Sequence, residues 1–177
     1  LILSLLFLFS FTGAVSAKTV GVVKAAAASP TPTPVPVINS FELFWPMSAG
    51  KTMQSKIYFL KILKENVRSF FIFGSAQKSD NYIFLATKRM LETEVLIKGN
   101  VTDLANKTLD SAASNLDKAN SNLTNAKNSG DIDQGIKDKV NNRISNLKRF
   151  TNSLMSQYPN YKDKLQSISS KLNSLTL

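Results

Sequence analysis

Cysteine and histidine are both absent from the 177 residues. Without cysteine there is no disulfide framework, no thiolate metal site and no cysteine nucleophile. Without histidine the commonest general base and the commonest transition-metal ligand are missing, which removes most catalytic triads and zinc sites. Carboxylates are scarce as well, 12 against 22 lysines and arginines, and none cluster in a recognisable cation-binding loop. The chemistry open to this chain is therefore narrow. The sequence proposes no catalytic residue, no metal ligand and no cofactor, and predicts a protein that is not an enzyme. Its net charge of +10 admits a polyanion partner, although a solvated basic surface is the plainer reading.

What is present begins with an apolar run. Residues 1–17 (LILSLLFLFSFTGAVSA) are free of charge and end in Val15-Ser16-Ala17, a small-x-small pattern that fits a signal-peptidase site. Leu1–Phe11 falls short of the roughly 20 residues of a membrane span. The reading is a cleaved signal, with an uncleaved signal anchor as the alternative. Both put the remainder outside the cytoplasm, and membrane attachment is expected only through an uncleaved segment. With no cysteine behind the run, a lipoprotein anchor is excluded. Residues 18–40 read as a linker: an alanine tract at 25–28, then SPTPTPVPV at 29–37. Alternating proline fixes the backbone torsion and deletes amide donors, so this piece favours an extended stalk over a packed core.

Residues 41–177 read as one helical domain, an all-α antiparallel bundle of four to five helices. Phe41, Phe44 and Trp45 form an aromatic lead-in expected to fold back as a lid. Ala49-Gly50-Lys51-Thr52 ends like a phosphate-binding loop, but Trp45 stands where that motif needs its first glycine, and no buried strand precedes it. In Lys56–Phe73, the residues Ile57, Leu60, Leu63, Val67, Phe70 and Phe71 recur at helical steps, with Lys61, Lys64, Glu65 and Arg68 on the other face. The pattern predicts a helix whose apolar side is buried and whose charges face water. A turn at Gly74-Ser75, with Ser75 as N-cap, leads to a second helix. Its inward stripe is Ile83, Ala86, Met90 and Ile97, widened by Tyr82 and Leu85, and Gly99-Asn100 is its stop. Lys88–Glu92 and Glu94–Lys98 are spaced to pair along it.

From residue 101 to 129 the beat is Leu109, Ala112, Leu116, Ala119, Leu123 and Ala126, alternating large and small as in closely packed coiled-coil seams. Asp131 with Gln134 resembles a capping box for a further helix with Ile136, Val140, Ile144, Leu147, Phe150 or Thr151, and Leu154 inward. Pro159 ends it. Asn160 with Asp163 is expected to cap a last helix striped by Tyr161, Leu165, Ile168, Leu172 and Leu175. The best candidates for polyanion contact are Lys137, Lys139, Arg143, Lys148 and Arg149, several of which can share one helix face, diluted by Asp131, Asp133 and Asp138.

The motif Tyr58-Phe59-Leu60-Lys61, followed by Glu65, Val67 and Arg68 and then by Lys88, Arg89, Glu92 and Glu94, resembles a bacterial family of exported helical proteins known only as a domain of unknown function. Phe44–Thr52 is similar to a lead-in variant of that family, whereas Gln54-Ser55-Lys56-Ile57 departs from its usual acidic or small residue, proline and leucine. The resemblance spans about residues 41–155. It implies an exported α-helical domain behind a signal or single anchor, and it brings no activity and no functional residues. The expectation is a non-enzymatic structural or interaction module of the cell envelope or exterior, with an unidentified protein or envelope partner. The alternative is a basic domain that binds nucleic acid or an anionic wall polymer.

Overall fold

The computed structural model describes residues 37–130 and 132–175. The signal segment, nearly all of the linker, and Asp131 of the expected capping box lie outside them. Among the described residues all regular structure is helical: α1 (Ser40–Phe44), α2 (Tyr58–Phe70), α3 (Ser75–Lys98), α4 (Thr102–Ser129), α5 (Gln134–Gln157) and α6 (Lys162–Ser174), with a 3-10 turn at Pro159–Tyr161. The all-α bundle predicted from periodicity is what forms.

Four helices, α3 to α6, make the core. Packed neighbours are α3 with α4, α5 with α6, α3 with α5, and α4 with α6. Consecutive helices run antiparallel: Ser79 on α3 donates to the Ala119 carbonyl, while Leu96 and Ile97 pack with Ala105 at the other end. The other two pairs run parallel, since Lys164 meets Asp110 and Lys171 meets Asp117, one heptad on along both α6 and α4. The connection from α4 to α5 therefore crosses the diagonal of the bundle.

The expected stripes are the core. Leu109, Ala112, Leu116, Ala119, Leu123 and Ala126 of α4 are all buried, as are Val140, Ile144, Leu147, Phe150 and Leu154 of α5 and Leu165, Ile168 and Leu172 of α6. Alanine at every second core position of α4 lets the facing backbone approach closely enough for the Ser79 Oγ–Ala119 carbonyl bond of 2.9 Å. Buried threonines turn inward without orphaning their hydroxyls: Thr87, Thr93, Thr108 and Thr151 each donate to the carbonyl four residues back.

Three boundary expectations move. The cap of α5 is Asp133, whose carboxylate accepts from the Ile136 amide, because that residue holds the extended conformation just ahead of the first helical turn. Gly74, at φ 86°, occupies the N-cap of α3, and Ser75 is already helical. Asn160 sits in the 3-10 turn and makes no cap for α6, which begins at Lys162 without a side-chain cap. The stop after α3 is as expected, with Asn100 as its left-handed residue, φ 56°.

The aromatic lead-in is a short helix, not a loop, and only half of it is a lid. Phe44 packs edge-on against Phe150 at 5.4 Å, whereas Phe41 and Trp45 meet edge-on with each other at 4.7 Å and stay exposed. The chain joins the bundle at Ile38, whose amide donates to Ser153 Oγ at 3.1 Å.

The largest correction concerns α2. Its apolar face points away from the bundle: Leu60, Leu63, Val67 and Phe70 are 50, 56, 51 and 77 % exposed, whereas Glu65 is buried. The helix docks on α3 by its charged side. Periodicity located the two faces correctly and assigned them to the wrong surroundings.

Candidate functional site

The seam between α2 and α3 is built from ions. On α2, Tyr58, Lys61, Glu65, Arg68 and Ser69 fall at three- and four-residue steps, which puts them on one side of the helix. On α3, Asn81, Phe84, Lys88, Arg89 and Glu92 do the same. The Arg89 guanidinium lies at the centre and donates to Glu65 across the seam and to Glu92 on its own helix. Glu92, fully buried, also receives Lys61 Nζ at 2.5 Å and the Tyr58 hydroxyl at 2.9 Å. Lys88 Nζ stands 3.2 Å from Glu65 Oε1, an ion pair without an aligned hydrogen bond. Further along, Asn81 donates to Ser69 Oγ, which in turn donates to the Glu65 carbonyl.

The expected Lys88–Glu92 pair along α3 is thus absent, because each partner is recruited across the seam or to Arg89; Glu94–Lys98 does form, at 2.7 Å. Three cations here meet two carboxylates. Burial pulls the Lys61 ammonium below its ordinary range, with Glu92 opposing the shift. Burial also raises the Tyr58 phenol well above its usual value, Arg89 opposing and Glu92 adding to the rise. For Arg89 burial works against the charge, and Glu92 and Glu65 more than offset it. The phenol keeps its proton and each cation contacts at least one of the two carboxylates, so what this cluster does is hold α2 in one orientation.

Lys61 also closes the preceding loop. Its ammonium accepts no bond and donates to the carbonyls of Ala49 and Lys51, at 2.5 and 2.8 Å. Ala49-Gly50-Lys51-Thr52 therefore directs carbonyl oxygens at a cation. A phosphate cradle needs amides pointed at an anion, so the loop is the electrostatic reverse of the motif it resembles.

Beside the ion cluster lies Phe84, half-buried, with Arg68, Lys88 and Arg143 at 5.4, 5.7 and 5.2 Å from its ring centre. A cleft of about 330 Å³ opens here between the loop at Gly50-Lys51 and the two helices. Among the described residues, no group of three or more carboxylates is placed to hold a metal ion.

The five cations proposed on α5 do not form one patch. At about 100° per residue, Lys137 and Lys148 lie on one flank of the buried stripe and Lys139 and Arg143 on the other, with Arg149 opposite the core. Lys139 and Arg143 both pair with Asp80 of α3, each at 2.8 Å. Lys137, Lys148 and Arg149 have no ion pair with a described residue.

Sequence reasoning missed both the buried ion cluster and its counterpart, the outward apolar face of α2. Phe59, Leu60, Leu63, Val67 and Phe70 form that face, and Phe71 and Phe73 extend it past the helix end; all are at least half exposed. The two sides of α2 are more sharply segregated than those of α3 to α6. A signal was available: Lys61 and Glu65 of α2 are opposite in sign to Glu92 and to Lys88 and Arg89 on α3.

Together these features define a helical bundle that carries an amphipathic helix with its polar side locked inward. The chain belongs to the family described as a domain of unknown function (DUF5667), whose model matches residues 52–157. That span begins after α1, takes in the ion cluster and all of α2 to α5, and ends before α6. No curated protein and no solved structure matches the chain.

Proposed function

We propose that this is a non-enzymatic interaction module of the cell envelope or exterior, and that α2 is its contact element. The observation that carries the reading is the exposure of the α2 apolar face. A monomeric soluble domain rarely leaves a contiguous stripe of seven large apolar side chains uncovered unless something binds there. The buried ion cluster supports it, because so many desolvated charges are costly and serve here to fix which side of α2 faces out. Export rests on the apolar run at 1–17 and the proline-rich segment behind it.

The test places a photo-cross-linking residue at Leu63 and, as a control, at exposed Asp117, in intact cells. Adducts at Leu63 that are absent at Asp117 support a contact through α2, whereas equal labelling at both overturns it. Fractionation of the same cells, with sequencing of the mature N-terminus, checks export: a chain that stays in the cytoplasm removes that part of the reading.

Binding of a polyanion is the second reading, favoured by the unpaired Lys137, Lys148 and Arg149 and the net charge of +10. Retention on heparin that falls steeply with salt supports it, and no retention at low salt removes it.

A further inference from the structure

The outward face of α2 has a shape and a charge pattern that select among partners. The helix has 13 residues, about 20 Å, too short to cross a hydrocarbon core of roughly 30 Å. No described helix is long and apolar enough to span a membrane. The exposed face is a convex ridge of phenylalanine, leucine and valine on a single helix. Lys64 lines one edge of it, Asn66 the other, and Lys56 stands just ahead; Arg68 lies beyond Lys64, towards the seam, over Phe84. Between Glu42 and Asp80 the only carboxylate is Glu65, and it is turned inward and paired.

We propose that α2 lies in the plane of an anionic lipid surface, its phenylalanines and leucines in the headgroup–acyl boundary and Lys56 and Lys64 against the headgroups. The proposal rests on α2 being the contact element and names its partner. The features are those of an interfacial helix: strict segregation of faces, bulky apolar side chains with several aromatics, basic residues at the rim, and insufficient length to span. Charge decides between lipid and a second copy of the chain. Two such faces brought together would set lysine against lysine with no exposed carboxylate between residues 43 and 79 to answer them, whereas an anionic bilayer neutralises them. The expectation drawn from sequence confined membrane attachment to an uncleaved N-terminal segment; this contact is separate from it.

The ion cluster supplies what a peripheral helix otherwise lacks, a fixed orientation on its parent domain. With Lys61 on Glu92 and Arg89 on Glu65, α2 cannot roll its apolar face under the bundle without breaking buried ion pairs.

The experiment uses the full chain with vesicles of phosphatidylcholine alone or with phosphatidylglycerol added. A reporter is made by Trp45→Phe with Phe70→Trp, which moves the chain's single tryptophan onto the ridge and reads that face whatever residues 1–36 do. The expected result is a blue-shifted emission, quenched by brominated acyl chains, with anionic vesicles. Adding Leu63→Asp, at a site already exposed, should weaken the response at least tenfold, and raised salt should weaken it further. An emission unchanged by anionic vesicles overturns the proposal. So does a concentration-dependent dimer, seen by light scattering, that Leu63→Asp abolishes. If vesicles give no response and the Leu63 cross-linker captures a protein, lipid is wrong and α2 remains a contact element; if neither responds, both readings fall.

Discussion

Arg89 of α3 and Glu65 of α2 meet across a buried seam, and this ion pair sets the polarity of the whole α2 helix. Both side chains are almost wholly withdrawn from water, at 4 and 10 % exposure. The Arg89 guanidinium also lies over Tyr58, 5.7 Å from its ring centre.

Replacing Arg89 by methionine keeps much of the volume and leaves Glu65 and Glu92 buried without their shared cation. The expected loss is about 3–5 kcal/mol, the cost of stranding buried charge, read by urea denaturation. A change below about 1 kcal/mol would show that the seam contributes little.

The orientation of α2 is tested by two leucines. Leu63→Ala, on the ridge, should leave stability within about 0.5 kcal/mol, whereas Leu116→Ala, at 1 % exposure in the core, should cost about 2–5 kcal/mol. Equal costs would mean that the α2 face is covered in the folded monomer.

Tyr58 predicts a pH dependence. Its folded pKa is raised above the ordinary value of 10.0 by burial, so its contribution is fully present below pH 10. As pH climbs past 10 the unfolded phenol ionises while the folded one does not, and stability falls. Lys61, with a lowered pKa, acts in the opposite sense, its penalty easing as pH rises. Denaturation of the wild type and Tyr58→Phe at pH 8, 9.5 and 11 should show the wild type losing ground to the variant only at the alkaline end. Parallel profiles would contradict the burial of the phenol.

At the start of α5, Asp133→Ala removes the acceptor for the Ile136 amide and should cost about 0.5–2 kcal/mol. Asp110→Ala, which breaks an exposed pair with Lys164, should cost no more than about 1 kcal/mol. Thermal melts of the two variants side by side check the order.

The core of α3 to α6 was readable because one rule governs it. Leu109, Leu116 and Leu123 repeat every seven residues, and their burial needs nothing beyond removal of apolar surface from water. The orientation of α2 was not readable in that way. Its periodicity says only that two faces differ; which face meets the bundle depends on Lys88, Arg89 and Glu92, residues some 25 positions away that present the opposite charges. The default that apolar means inward then gave the wrong answer for Leu60, Leu63 and Val67. The capping errors have a smaller cause, since Asp131 and Asp133 offer the same chemistry two residues apart.

The polarity of the seam also decides what happens when it opens. A helix held by greasy contacts uncovers a sticky strip on its parent when it lifts, and such intermediates clump. Here departure of α2 would bare Lys88, Arg89 and Glu92, a surface that water wets readily, while Ile83, Met90 and Leu116 stay sealed within the core that α3 to α6 share. Loss of α2 from its seam therefore uncovers charge and leaves the apolar core closed.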